Sequence, residues 1–116
     1  MSDESEKRGL LNARVMILLR RFHPQTPREI MRGMITEVDE YGVRLSGRRF
    51  REVRVGEGAP TEERPVEGST KTYWLPYTSI RYTEILAPGS ASERLDNEVQ
   101  RRKPLTAKDL ATIQTV

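Results

Sequence analysis

Few residues of this 116-residue chain have types that could do chemistry, and most of those are arginines. There is no cysteine, which excludes disulfides, thiolate metal sites and cysteine nucleophiles. One histidine, His23, leaves no material for a His-rich metal centre. His23 precedes Pro24 with no ligand partner evident beside it, so it reads as an exposed turn residue. Asp39 and Glu40 are neighbouring carboxylates, but adjacent residues at a strand end point apart, and no divalent-ion site is expected there. The phosphate loop, the nucleophile elbow and the zinc-protease helix motif are all missing. The expectation is a non-enzymatic protein without metal or cofactor.

The arginines are unevenly placed. Net charge is +3, yet Arg14 to Arg54 holds ten arginines and no lysine, while Gly56 to Thr70 is acidic. Arginine suits bidentate contacts to phosphate or carboxylate. The other reading is a solvent face of strands whose arginines pair with neighbouring glutamates. Arg48, Arg49 and Arg51 could form a phosphate-binding edge or a solvated strand end. Tyr41 could stack a base or cap a turn, and Tyr73 and Trp74 read as core or subunit-interface residues.

The elements that must position these residues are mostly strands. Residues 1–11 are a polar lead-in without an apolar leader, so a cytoplasmic protein is expected. Asn12 to Phe22 has a strand composition, although Leu11, Val15, Leu18 and Phe22 also fall at helical spacing; the prolines after it favour a strand and turn. Arg28 to Asp39 reads as a strand interrupted by Gly33, and Glu40-Tyr41-Gly42 as a tight connection. Gly42 to Arg54 alternates apolar residues with arginines, the period of a half-buried strand, and Gly47 reads as a bend or bulge. Residues 56–70 hold three glycines and two prolines without periodicity and read as an exposed loop. Lys71 to Leu86 predicts two short strands bent at Pro76-Tyr77.

Ser90-Ala91-Ser92-Glu93 is a capping box, predicting a helix to Arg102 that Pro104 stops. Thr106 and Asp109 repeat the signal for a short helix through Ile113. This 88–116 extension is thin in hydrophobes and is expected to be mobile or docked on a protein partner.

Two segments resemble the Sm-like family. The first runs Met31-x-Gly33-x-Ile35-x-x-Val38-Asp39-x-Tyr41-Gly42-Val43-x-Leu45, and the second Leu75-Pro76-Tyr77-x-Ser79-Ile80. Together they cover roughly residues 12–87. The resemblance implies a mainly β fold, a small, strongly bent five-stranded SH3-like barrel. It implies a homo-oligomeric ring of roughly six or seven subunits, closed by strand pairing, and single-stranded RNA bound near the loop after the second strand. Carried over, Asp39, Tyr41 and Gly42 fall at the first RNA-contacting loop, although the family commonly has asparagine at Gly42. The family's basic second-loop signature is replaced by Trp74-Leu75 or Thr78-Ser79. The nucleic-acid contacts expected are therefore Asp39, Tyr41, Gly42, Arg48 and Arg49. Gly33, Asp39, Trp74, Pro76 and Ile80 are expected to be structural. No membrane partner is expected, and the alternative function is a protein-interaction or oligomerisation module that binds no nucleic acid.

Overall fold

The computed structural model describes residues 9–54, 56–112 and 114–115. Among these residues seven strands form one antiparallel sheet: β1 (Arg14–Leu19), β2 (Glu29–Val38), β3 (Gly42–Arg54), β4 (Thr61–Pro65), β5 (Lys71–Pro76), β6 (Ile80–Ile85) and the two-residue β7 (Gln114–Thr115). Two helices follow β6, α1 (Ala91–Gln100) and α2 (Ala107–Thr112). The fold is mainly β, as expected.

The strand order is β4-β3-β2-β1-β6, and β3 also pairs with β5 and β7. At 13 residues, β3 is long enough to take β5 along its first half and β4 along its second. Among the described residues no ladder joins β5 to β6; the one-turn 3-10 helix Tyr77–Ser79 carries the chain between them. The sheet is therefore open in its hydrogen bonding, where a closed five-stranded barrel was expected.

Residues 56–70 differ from the expected loop. Thr61–Pro65 pairs with Arg54–Phe50 as β4, and Val66 is buried and bridges Leu105. Alternation of apolar residues cannot reveal this strand, because its stabilising partners are ionic. The acidic residues Glu62 and Glu63 lie opposite Val53 and Glu52, and Glu63 reaches across to Arg32.

Each face of the sheet carries a buried apolar cluster. On one face Val15, Ile17, Met31, Ile35, Val43, Leu45 and Leu75 form a core, with Leu10, Ala13 and Ile80 packed against it. On the other, Leu18, Ile30 and Phe50 pack with Val99 of α1. β1 supplies both cores, so its apolar run alternates between two buried faces rather than winding into a helix.

The C-terminal extension is docked on its own sheet through α1. Ser90 Oγ accepts from Glu93 N at 3.1 Å, and the Glu93 carboxylate reaches Gly89 N at 3.0 Å, so the capping box forms one residue early on its return arm. Thr106 and Asp109 cap α2 reciprocally, and that helix is described to Thr112; Ile113 lies outside the described residues. Trp74 is not a core residue. It is 46 % exposed, opposite Arg44 on β3.

Asp96 of α1 is buried, with one oxygen accepting from Arg32 Nη1 at 2.9 Å and the other from Arg14 Nε at 2.9 Å. Arg32 completes a bidentate pair with Glu63 at 2.5 and 3.0 Å. Burial works against the Arg32 charge, but Glu63 and Asp96 outweigh it and raise its pKa above the ordinary value.

Gly33 and Gly47 are direct cross-strand partners. A Cβ on Gly33 would lie 2.6 Å from Gly47 Cα, and one on Gly47 would lie 2.8 Å from Gly33 Cα. The glycine requirement thus comes from the neighbouring strand's backbone, and Gly47 is in register rather than bulged. The extra residue on β2 is Thr36, where the register with β3 shifts between Ile35 and Glu37.

Gly33→Val is expected to cost about 1–3 kcal/mol through this backbone crowding. A thermal melt superimposable on wild type would show that the two strands do not approach so closely. Asp96→Ala leaves Arg32 and Arg14 short of a partner and is expected to cost about 3–5 kcal/mol, as for a broken buried ion pair. Chemical denaturation measures it, with amide exchange across α1 reporting whether the helix leaves the sheet.

Candidate nucleic-acid interface

The β2–β3 connection is held by a side chain. Asp39 Oδ1 accepts from Tyr41 N at 2.7 Å and Gly42 N at 3.0 Å, the hydrogen bonding of an Asx-type turn, as the sequence predicts for Asp39. Tyr41 is thereby lifted into solvent at 73 % exposure. Gly42 is buried against β5, where a Cβ would lie 2.8 Å from Pro76 Cα.

The second sequence segment meets the first here. Tyr77 N donates to Tyr41 O at 2.8 Å, and the Tyr77 hydroxyl donates to Asp39 O at 2.9 Å. Burial, and after it the Asp39 charge, pushes the Tyr77 hydroxyl pKa above its usual range. Pro76 ends β5 with its fixed φ and starts the 3-10 turn, and Ser79 Oγ closes that turn on Pro76 O at 2.7 Å. Two tyrosines, from turns more than 30 residues apart, are thus locked beside one another. Their rings are apolar faces on a rigid backbone, which is what base stacking requires.

Arg48 and Arg49 lie elsewhere, with their donors engaged inside the chain. Arg48 Nη1 donates to Gln100 O at 3.1 Å and Gln100 Oε1 at 3.2 Å, and its guanidinium lies over the Phe50 ring. Arg49 and Arg51 both bond Glu29 Oε1, at 2.5 and 2.9 Å. Burial tends to raise the Glu29 pKa, but the hydrogen bonds and charge of Arg51 and Arg49 prevail and hold the carboxyl below its usual range. These arginines follow the cross-strand reading of the basic segment.

A different set of arginines was not singled out by sequence reasoning. At the far end of the 3-10 turn Arg20 N donates to Ser79 O at 2.9 Å, and Arg20, Arg21 and Arg81 line a cavity with Phe22. The legible signal was the run Arg20-Arg21-Phe22-His23-Pro24, basic and aromatic residues side by side before a proline turn. Among the described residues no group of carboxylates and histidines is placed to hold a metal ion. Nor is any helix long and apolar enough to cross a membrane.

Compared with protein-family models, curated proteins and solved structures, the chain matches none.

Asp39→Ala removes the acceptor for two turn amides and is expected to cost about 1 kcal/mol. Amide exchange at Tyr41 and Gly42 should accelerate while the sheet core stays protected. Unchanged exchange at both positions would show that the turn does not depend on this carboxylate.

Proposed function

We propose that this chain is an Sm-like protein that self-assembles into a ring and binds single-stranded RNA, acting without catalysis. The observation that carries the reading is the meeting of its two motif segments: exposed Tyr41 on the Asp39-locked turn, bonded to Tyr77 at the bend between β5 and β6. Tyr41 is the stacking platform, and Asp39 fixes its position. In this reading the path β5-β3-β2-β1-β6 is the bent barrel, and β4 and β7 are additions to it.

Assembly is supported by the strand edges. Among the described residues β5 pairs only with β3 and β6 only with β1, so each has an edge without a ladder. Exposed edges favour pairing with another chain, and β5 of one subunit against β6 of the next would repeat into a closed ring of roughly six or seven copies. The aromatic residues Trp74 and Tyr82, at 46 % and 49 % exposure, sit on these two strands. Such a ring would act in the cytoplasm.

Native mass with and without a short U-rich or A-rich RNA tests both parts. The expected result is an oligomer at micromolar concentration that gains the mass of RNA. Tyr41→Ala should leave the oligomer intact and weaken RNA binding about ten-fold or more. A monomer overturns the ring. An oligomer that binds no RNA overturns the nucleic-acid reading in favour of a protein-interaction module.

A further inference from the structure

The register of β6 against β1 slips once. Leu18 faces Tyr82 and Leu19 faces Ile80, so Arg81 is an extra, unpaired residue on β6. A bulge of this kind re-aims its side chain, and such bulges concentrate next to functional sites. Arg81 lines a cavity of about 220 Å³ together with Arg21, Arg28, Phe22, His23 and the apolar pair Leu18 and Leu19. Two of the arginines, Arg21 and Arg28, come from the connection between β1 and β2, and the third from the β6 bulge.

The electrostatics of this cleft are one-sided. Among the described residues no carboxylate lines it. Among the described residues the side chains of Arg28 and Arg81 have no hydrogen-bond or ion-pair partner, and Arg21 reaches only Pro24 O at 3.2 Å. The contrast with Arg14, Arg32, Arg49 and Arg51, each paired with a carboxylate, is complete. His23 Nδ1 accepts from Gln25 N at 3.1 Å, so the neutral ring carries its proton on Nε2 as a further donor. Converging guanidinium groups without an internal anion repel one another, and a phosphate relieves that repulsion through charge-assisted, often bidentate hydrogen bonds.

Phe22 supplies the second half of the site. Its side chain is 94 % exposed, and it also lines the adjoining cavity of about 500 Å³ with Arg20, Arg21 and Arg81. A lone exposed aromatic needs no explanation. One set among arginines that have no carboxylate partner, beside a cavity of about 220 Å³, suits a phosphate and sugar inside with a flat ring outside. We propose that this cleft binds a nucleotide, its phosphate among Arg21, Arg28 and Arg81 and its base against Phe22. The shared chemistry is a nucleoside 5′-monophosphate group, free or at the end of a strand. The site is separate from the Tyr41–Tyr77 turn and stands whether or not that turn binds RNA.

Titration calorimetry at about 100 mM salt, where phosphate contacts still contribute, tests it with adenosine 5′-monophosphate, a 5′-phosphorylated A-rich hexanucleotide, the same hexanucleotide without the phosphate, and inorganic phosphate. Saturable binding of one or both 5′-phosphorylated probes is expected. Arg28→Ala and Arg81→Ala should each weaken it about ten-fold or more. Phe22→Ala should weaken the nucleotide but not inorganic phosphate, and Tyr41→Ala should leave adenosine monophosphate binding unchanged. All four variants alter exposed or half-exposed side chains, and thermal melts confirm that each folds. Equal affinity for the mononucleotide and the phosphorylated hexamer identifies a free nucleotide as ligand; tighter hexamer binding identifies a strand end. No binding of either probe, indifference to the 5′-phosphate, or affinity unaltered in both arginine variants overturns the proposal.

Discussion

One carboxylate holds the molecule's two layers together. Arg32 and Arg48 face each other across β2 and β3, and both guanidinium groups lie over Phe50, at 5.8 and 5.7 Å from its ring centroid. Like charges directly opposite one another destabilise a sheet, and Arg32 is buried as well. Asp96 from α1 and Glu63 from β4 supply the compensating charge, and Gln100 at the end of α1 takes Arg48. The helix and the extra strand are therefore drawn onto the sheet by arginines that the sheet cannot satisfy alone. Val99 then adds apolar burial beside the ionic contact. Further bonds extend the same seam: Arg102 donates to Glu63 O, Arg64 to Lys103 O, Leu105 N to Pro65 O and Glu67 N to Leu105 O.

With α1 packed on part of one face, the other face is free to curve around its own core. The Gly33–Gly47 approach and the Thr36 bulge shape β2 where it runs toward its turn. The turn at Asp39 then meets Tyr77, and the single 3-10 turn leads from there to Arg20. The two candidate binding surfaces are thus the two ends of one short connection. One end is aromatic and held by a carboxylate; the other is basic, its arginines without a carboxylate partner among the described residues.

The arginines divide by geometry rather than by sequence position. Those on β2 and β3 that face α1, β4 or Glu29 are structural cations, each with at least one donor engaged inside the chain. Those near the β1–β2 loop and the β6 bulge lie beyond the reach of the acidic segment. Arg48 and Arg21 are alike as residues, each beside another arginine and close to a phenylalanine. Their difference in availability depends on what packs against them.

Much of the element order was legible locally. The bounds of β3, the bend at Pro76, both capping boxes and the Asx-type turn at Asp39 follow from alternation, fixed φ and short side-chain acceptors, all of which act over four residues or fewer. Three features were not legible: β4 within a Gly- and Pro-rich acidic stretch, the docking of α1, and the bulge that re-aims Arg81. Each depends on partners 31 to 82 residues away in the chain or on register between strands. The sequence by itself determined most of the strands and both C-terminal helices, β4 apart, because that choice is made largely among near neighbours. Only the tertiary structure decided which charges neutralise one another and which remain to meet a ligand, because Coulombic pairing depends on distance through space and is blind to distance along the chain.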